Sequence, residues 1–412
     1  MVGLVRSGNV FGAVIEEMDM FRGLVLGAVV VMVQSSVWGV TRTPVMEGVT
    51  LKNDGFRKLS SQLSEGEDLG DKEIRLEFKT SKPGRGGLII RGHEIAMQEG
   101  RKALYGYRIH LDTLTPENCG SIEETSRRGL LVQSTKDVKK VVKVDGWNSV
   151  VVNTKGSLIE VTVNGMMAAR IRDEGILSGP GIYVENMSDG TDATVEFRDV
   201  GYEVTSGGRC PDEAPGHWQD KNWKEIYNGK NFKGWKEWGS EDWSVVDGVI
   251  EGRRGPKNSE GYLATEMKYS EFRVRGKFKM LGDGNYGLFY HSTITLRDDG
   301  YPMISGVQGE VMPGRPAQTG RLYESGRRGW LMDRDHDDVG SWALREGEWN
   351  DIEIRSYGSR ITTWVNGIRV IDFTDPSQQV FKGSFALQLH TGEGAGIDWK
   401  DIWVKTEGLS AP

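Results

Sequence analysis

The stretch Asp351-Ile352-Glu353-Ile354-Arg355, Tyr357-Gly358-Ser359, Ile361-Thr362-Thr363-Trp364-Val365 and Asn366-Gly367 decides the fold class. Polar and apolar residues alternate from 351 to 355, which is the pattern of a strand with one buried face. Residues 361–365 form its partner across a Tyr-Gly-Ser turn. Asn366-Gly367 is a strong hairpin signal, because both residues tolerate positive φ. The same signal occurs earlier, where Asn164-Gly165 follows Val161-Thr162-Val163 and Val150-Val151-Val152. Glycine is abundant, at 56 residues against 12 prolines, as expected for many tight turns between short strands. Beyond the leader, no segment keeps a helical period over three turns. The chain is therefore predicted to be all-β, built from antiparallel sandwiches of the jelly-roll kind.

The second decisive feature is self-similarity. Shifting the chain by 200 residues places Glu47-Gly48-Val49 on Asp247-Gly248-Val249. Phe78-Lys79 falls on Phe278-Lys279, Gly87-Leu88 on Gly287-Leu288, and Arg127-Arg128-Gly129 on Arg327-Arg328-Gly329. After a slip of two, Trp147-Asn148 and Asn164-Gly165 meet Trp349-Asn350 and Asn366-Gly367. Two tandem domains follow, a first copy over 43–205 and a second over 217–406. The Gly- and Pro-rich segment 206–216 joins them.

The net charge of −7 and the absence of a basic stripe argue against nucleic acid as a partner. The apolar run Leu24–Val33, preceded by Arg22, is about ten residues and too short for a stable membrane span. With Val37-Trp38-Gly39 it has the form of an export signal over residues 1–39. A periplasmic or extracellular location is expected, and it would allow Cys119 and Cys210 to pair.

The second copy resembles the 3-keto-disaccharide hydrolase domain family, with its concanavalin A-like fold. The residues that carry the resemblance are Ile226–Trp235, Asn285-Tyr286-Gly287-Leu288, Gly306–Glu310, Gly320–Arg328, Glu348-Trp349-Asn350, Leu387-Gln388-Leu389-His390 and Trp399–Ile402. The first copy is a degraded version. The resemblance implies a carbohydrate partner and cleavage of glycosides already oxidised at C3.

Differences between the copies point to the site. Gln308 and Glu310 lie two apart and share a strand face, where the first copy has Arg108 and His110. His291 and His390 end strands and are absent from the first copy; histidine suits proton transfer near neutrality. Tyr323 stands where the first copy has Glu123. Glu310 or His390 is expected as base, with His291, Tyr323 or a cation steadying an enolate. Arg327 is a candidate for binding sugar oxygens, although Arg127 persists in the first copy. Eleven of the 13 tryptophans lie from Trp218 onward, and Trp238, Trp330 and Trp342 are candidate sugar platforms. No cofactor is clearly implied. The acidic run Asp333–Asp338 could hold a divalent cation, but it lacks the glycine and distal Glu of a calcium loop. A binding module without catalysis and a laminarinase-type glycosidase remain as alternatives. The latter lacks a Glu-x-Asp-x-Glu run.

Overall fold

The structure is a computed structural model. It describes residues 43–46, 48–52, 55–59, 71–96, 102–187, 192–204, 222–255, 260–314, 318–332, 339–377 and 381–406. The export-signal segment, the 206–216 linker, Cys210 and the acidic run 333–338 lie outside these. Cys119 is a free thiol in the first core, and burial pushes it up to about 12.

The all-β expectation holds. In the first copy, strands build two antiparallel sheets. The back sheet runs through Val195–Val204, Lys72–Thr80, Asn148–Lys155, Leu158–Val163 and Met166–Arg172. The front sheet has the order Gly55–Lys58, Gly181–Asn186, Arg85–Ala96, Lys102–Asp112, Ile122–Glu124, Gly129–Val132.

The second copy repeats both layers with one difference. Phe272–Leu296 and Gly383–Lys405 each run through both layers, so the strands form one continuous sheet. Its front layer has the order Trp235–Trp238, Gly261–Tyr269, the first part of Gly383–Lys405, the second part of Phe272–Leu296, Pro302–Val311, Leu322–Ser325. Register shifts around Leu281–Tyr286 mark the passage between layers. There Tyr286 donates its hydroxyl to the Leu281 carbonyl at 3.0 Å.

Alternation explains the core. Tyr286, Leu288 and Tyr290 point inward and are buried with Phe272, Phe278, Leu387, Leu389 and Trp399. The residues between them face outward and carry the features described below.

The duplicated Asn-Gly turns act as internal brackets. Asn366 has φ 49 and donates to Asn350 Oδ1 at 2.8 Å and to the Ala343 carbonyl. Asn164 repeats this with Asn148 and Val141. In the second copy the turn also docks onto the first. Leu177 N–H donates to the Gly367 carbonyl and Arg369 N–H to the Gly175 carbonyl, each at 2.8 Å. Trp364 Nε1 donates to the Glu174 carbonyl at 2.8 Å, and Arg355 pairs with Glu174 at 2.9 Å. The two copies are thus joined by backbone hydrogen bonds as well as side chains. No helix among the described residues is long and apolar enough to cross a membrane.

A matched pair of substitutions tests the docking. Gly165 and Gly367 both have positive φ, but a Cβ at Gly165 meets open space while one at Gly367 overlaps Ser178 of the first copy. Gly165→Ala should cost only the backbone strain, about 1–2 kcal/mol. Gly367→Ala should cost about 3 kcal/mol or more, because strain and overlap add. Equal losses in chemical denaturation would show that the turn does not bear on the first copy.

Candidate functional site

The front layer of the second copy has an outer face that is not part of the main core. Four residues lie side by side across it: Tyr262 pairs with Gln388, Gln388 with Gly287, and Gly287 with Glu310. Directly paired residues point to one face. The neighbouring row runs Ala264, Ala386, Phe289, Gln308, Tyr323, Trp330. Tyr262, Ala264, Phe289, Ile304 and Ala386 form a separate apolar cluster, with Trp238 and Ile294 packed against it. Polar groups are embedded in this apolar floor.

Gly287 makes the arrangement possible. A Cβ there would overlap the Gln308 side chain. Because the glycine has none, Gln308 reaches across the central strand and donates to Gln388 Oε1 at 2.8 Å. The same amide donates to the Tyr286 carbonyl at 3.0 Å and to Glu310 Oε1 at 3.2 Å. Asn285 also donates to Glu310 Oε1. At the other end, Gln388 donates to Glu260 Oε2 at 3.4 Å. Glu260 also accepts from Tyr262 and, at 3.1 Å, from Tyr301. His390 Nε2 lies 3.7 Å from Glu260 Oε2. A connected polar chain therefore links Asn285, Glu310, Gln308, Gln388, Glu260 and His390.

Glu310 is 3% exposed, and the groups that donate to it, Asn285 and Gln308, are neutral amides. Burial pushes its carboxyl up to about 8, partly opposed by the Asn285 hydrogen bond. Such a group can accept or give a proton near neutrality.

The expected site residues fall into three groups. Glu310, Gln308, His390, Tyr323, Trp330 and Trp238 come together on this face. Tyr323 and Trp330 meet edge to face at 5.3 Å, and Trp238 is paired with Tyr262 at the far edge. Arg327 is placed over the Phe381 ring at 4.7 Å, apart from the polar chain. Its neighbour Arg328 pairs with Glu324 and Asp375, as Arg128 does with Glu124 and Asp173.

His291 and Trp342 are not brought to the face. Strand parity alone would put His291 beside Phe289. However, the register shifts between Tyr290 and Thr293, and His291 adopts φ 52. The ring turns away, against Phe272 and Tyr290, with a nitrogen 2.7 Å from the Ser270 carbonyl. Arg91 has the same backbone twist, φ 50, so the bulge belongs to the fold. Trp342 lies on the short helix Val339–Ala343 and meets Tyr105 of the first copy edge to face at 6.2 Å. There it packs at the junction between the copies.

Asn285, Gln388, Glu260, Tyr262 and Tyr301 were not singled out as site residues from sequence. Gln388 had a usable signal, since it lies two before His390 and shares its face. Glu260 enters from a strand end and had none. Among the described residues, no group of three or more His, Cys, Asp or Glu is arranged to hold a metal ion. Asp351 and Glu353, two carboxylates two apart on one strand, sit in the back layer, with Glu353 ion-paired to Arg273.

The 3-keto-alpha-glucoside-1,2-lyase-like domain model matches the chain twice, over residues 35–201 and 222–405. The chain belongs to that family. A 3-keto-disaccharide hydrolase of Bacteroides thetaiotaomicron is 26% identical over 165 residues, which are 36% of this chain and 57% of the relative. The match thus spans little more than half of that protein. Among solved structures, a candidate glycosyl hydrolase of Parabacteroides distasonis is 19% identical, with 47% of this chain and 98% of that one covered and a TM-score of 0.33. A carbohydrate-binding module of Bacillus subtilis is 14% identical, with 42% and 96% covered and a TM-score of 0.27.

The environment of Glu310 has a thermodynamic consequence. Its carboxyl rises from 4.5 to about 8 on folding, so between these values the folded chain keeps a proton that the unfolded chain releases. The stability from that proton is fully present below 4.5 and is lost as pH rises through about 8. Glu310→Gln lacks the titration. The variant should gain on the natural chain by a few kcal/mol across that window. Parallel stability curves for the two proteins would contradict the assignment.

Proposed function

We propose that the second copy is a catalytic domain that cleaves glycosides carrying a ketone at C3. Glu310 supports this reading most directly: an acid–base group near neutrality, fixed by amides in an apolar floor. Family membership supports the substrate class.

The ketone acidifies the C2–H bond. Glu310, as the carboxylate, takes the C2 proton, and the bonding electrons move into the C2–C3 enolate. The Tyr323 hydroxyl, on the strand paired with Gln308, would stabilise the C3 oxygen. The enolate then collapses, a C1–C2 double bond forms, and the C1–O bond breaks. His390, oriented by Glu260, gives the leaving oxygen its proton. Addition of water across C1–C2 completes hydrolysis. Trp238 and Trp330 bracket the face and suit the C–H side of a sugar.

We also infer export, from Arg22 and the Leu24–Val33 run, and domain limits near 43–205 and 217–406.

On a 3-keto-glucoside, Glu310→Gln should lower kcat by about 10²–10⁴-fold. Activity of the natural protein should rise with pH through about 8, as the base ionises. His390→Gln should slow substrates with poor leaving groups more than those with good ones. Full activity in both variants, or equal cleavage of the unoxidised glucoside, would end the proposal.

A further inference from the structure

The outer face of the first copy repeats the lattice of the site with different side chains. Gly87 pairs with Glu185 on one side and His110 on the other, as Gly287 pairs with Gln388 and Glu310. Arg108 is paired with Ile89 and Glu123, as Gln308 is with Phe289 and Tyr323. Phe56 is paired with Glu185, as Tyr262 is with Gln388. Even the small apolar cluster recurs, with Ile89, Leu104 and Tyr183 under the first face. The glycine has the same use: a Cβ at Gly87 would overlap Glu185, and through this gap Arg108 reaches Glu185.

The chemistry differs. Arg108 also donates to Glu123 at 2.9 Å, and His110 contacts Glu123 at 2.8 Å. The Glu123 carboxyl is held below its usual range, mainly by His110 and then by Arg108. No carboxyl here occupies the position of Glu310. The face is also more open: Phe56 is 39% exposed against 1% for Tyr262, and the Arg108 and Glu123 side chains are about one-fifth exposed. Phe56 stands edge-on to Tyr183 at 6.1 Å.

We propose that this face of the first copy is a second, non-catalytic binding site for a neutral, hydroxyl-rich glycan. Phe56 offers a ring to the C–H side of a sugar. Arg108, His110, Glu123 and Glu185 offer fixed donors and acceptors to vicinal hydroxyls. Two carboxylates against one guanidinium disfavour an acidic sugar. Binding here holds the chain on a polymer while the second copy works.

Native affinity electrophoresis of the full chain in laminarin, glycogen and mannan tests this, with polygalacturonate as the acidic control. At least one neutral glycan should retard the chain. Phe56→Ala and Arg108→Gln should each weaken that retardation by roughly tenfold. Retardation is read without turnover, so it is independent of the fate of the catalytic proposal; on that proposal, turnover of a small soluble 3-keto-glucoside should stay unchanged in both. Phe56→Ala removes an exposed ring and guards against a folding defect in the Arg108 variant. The proposal is overturned if no neutral glycan retards the chain. It is equally overturned if only polygalacturonate does, or if retardation survives both substitutions and is lost in Trp238→Ala.

Discussion

A strand has two faces, and in the central strands of this protein one of them is claimed by the core. That constraint decides where chemistry can occur. On the central strand of the second copy, Tyr286, Leu288 and Tyr290 fill the space between layers. What remains outside is Gly287 and Phe289. The glycine is the decisive residue, because a side chain there would fill the space through which Gln308 reaches Gln388. Without one, a glutamine and a glutamate from one neighbour meet a glutamine from the other. The polar chain is therefore a property of three strands at once.

The two copies show how far such a lattice can be changed without touching the fold. Backbone features have stayed: the bulge at Arg91 and His291, the Asn-Gly turns, and the φ near 50 at Asp199 and Asp401. The Arg-Glu pairs at 128 and 328 have stayed as well. These positions hold turns and loops in place, so a change would be felt as instability. The outer faces bear no such burden. They have diverged into a charge-compensated surface and a charge-poor one.

Much of the fold was legible because it rests on period and repetition. Residues 351–367 alternate as their strands require, and the matching Asn-Gly turns declared the duplication. The site was legible where it followed strand parity, as for Gln308 with Glu310. It was lost where parity breaks. His291 lies in the strand frame of Phe289, yet one residue of positive φ turns it toward Ser270. Trp342 was lost for another reason, since a tryptophan without a counterpart can serve a junction as well as a ligand. Register also moved locally. Strand pairing places Glu185 opposite Gly87 and Gln388 opposite Gly287, a slip of three where the surrounding sequence suggests two. No local signal in the sequence marks that extra step, and it conceals the equivalence of Glu185 and Gln388.

That equivalence explains the electrostatics. In the first copy, each carboxylate on the face has a cation or histidine against it, and Glu123 is held ionised. In the second, amides replace the arginine and one glutamate, while a glutamate replaces the histidine. An amide donates a hydrogen bond without supplying a full charge, so it offsets little of the cost of burying an anion. The same frame therefore binds its carboxylates firmly in one copy and loosens one of them toward protonation in the other. Proton transfer near neutrality requires the second condition, and tight recognition of sugar hydroxyls tolerates the first. Duplication allowed both to exist in a single chain, because neither face had to serve the needs of the other.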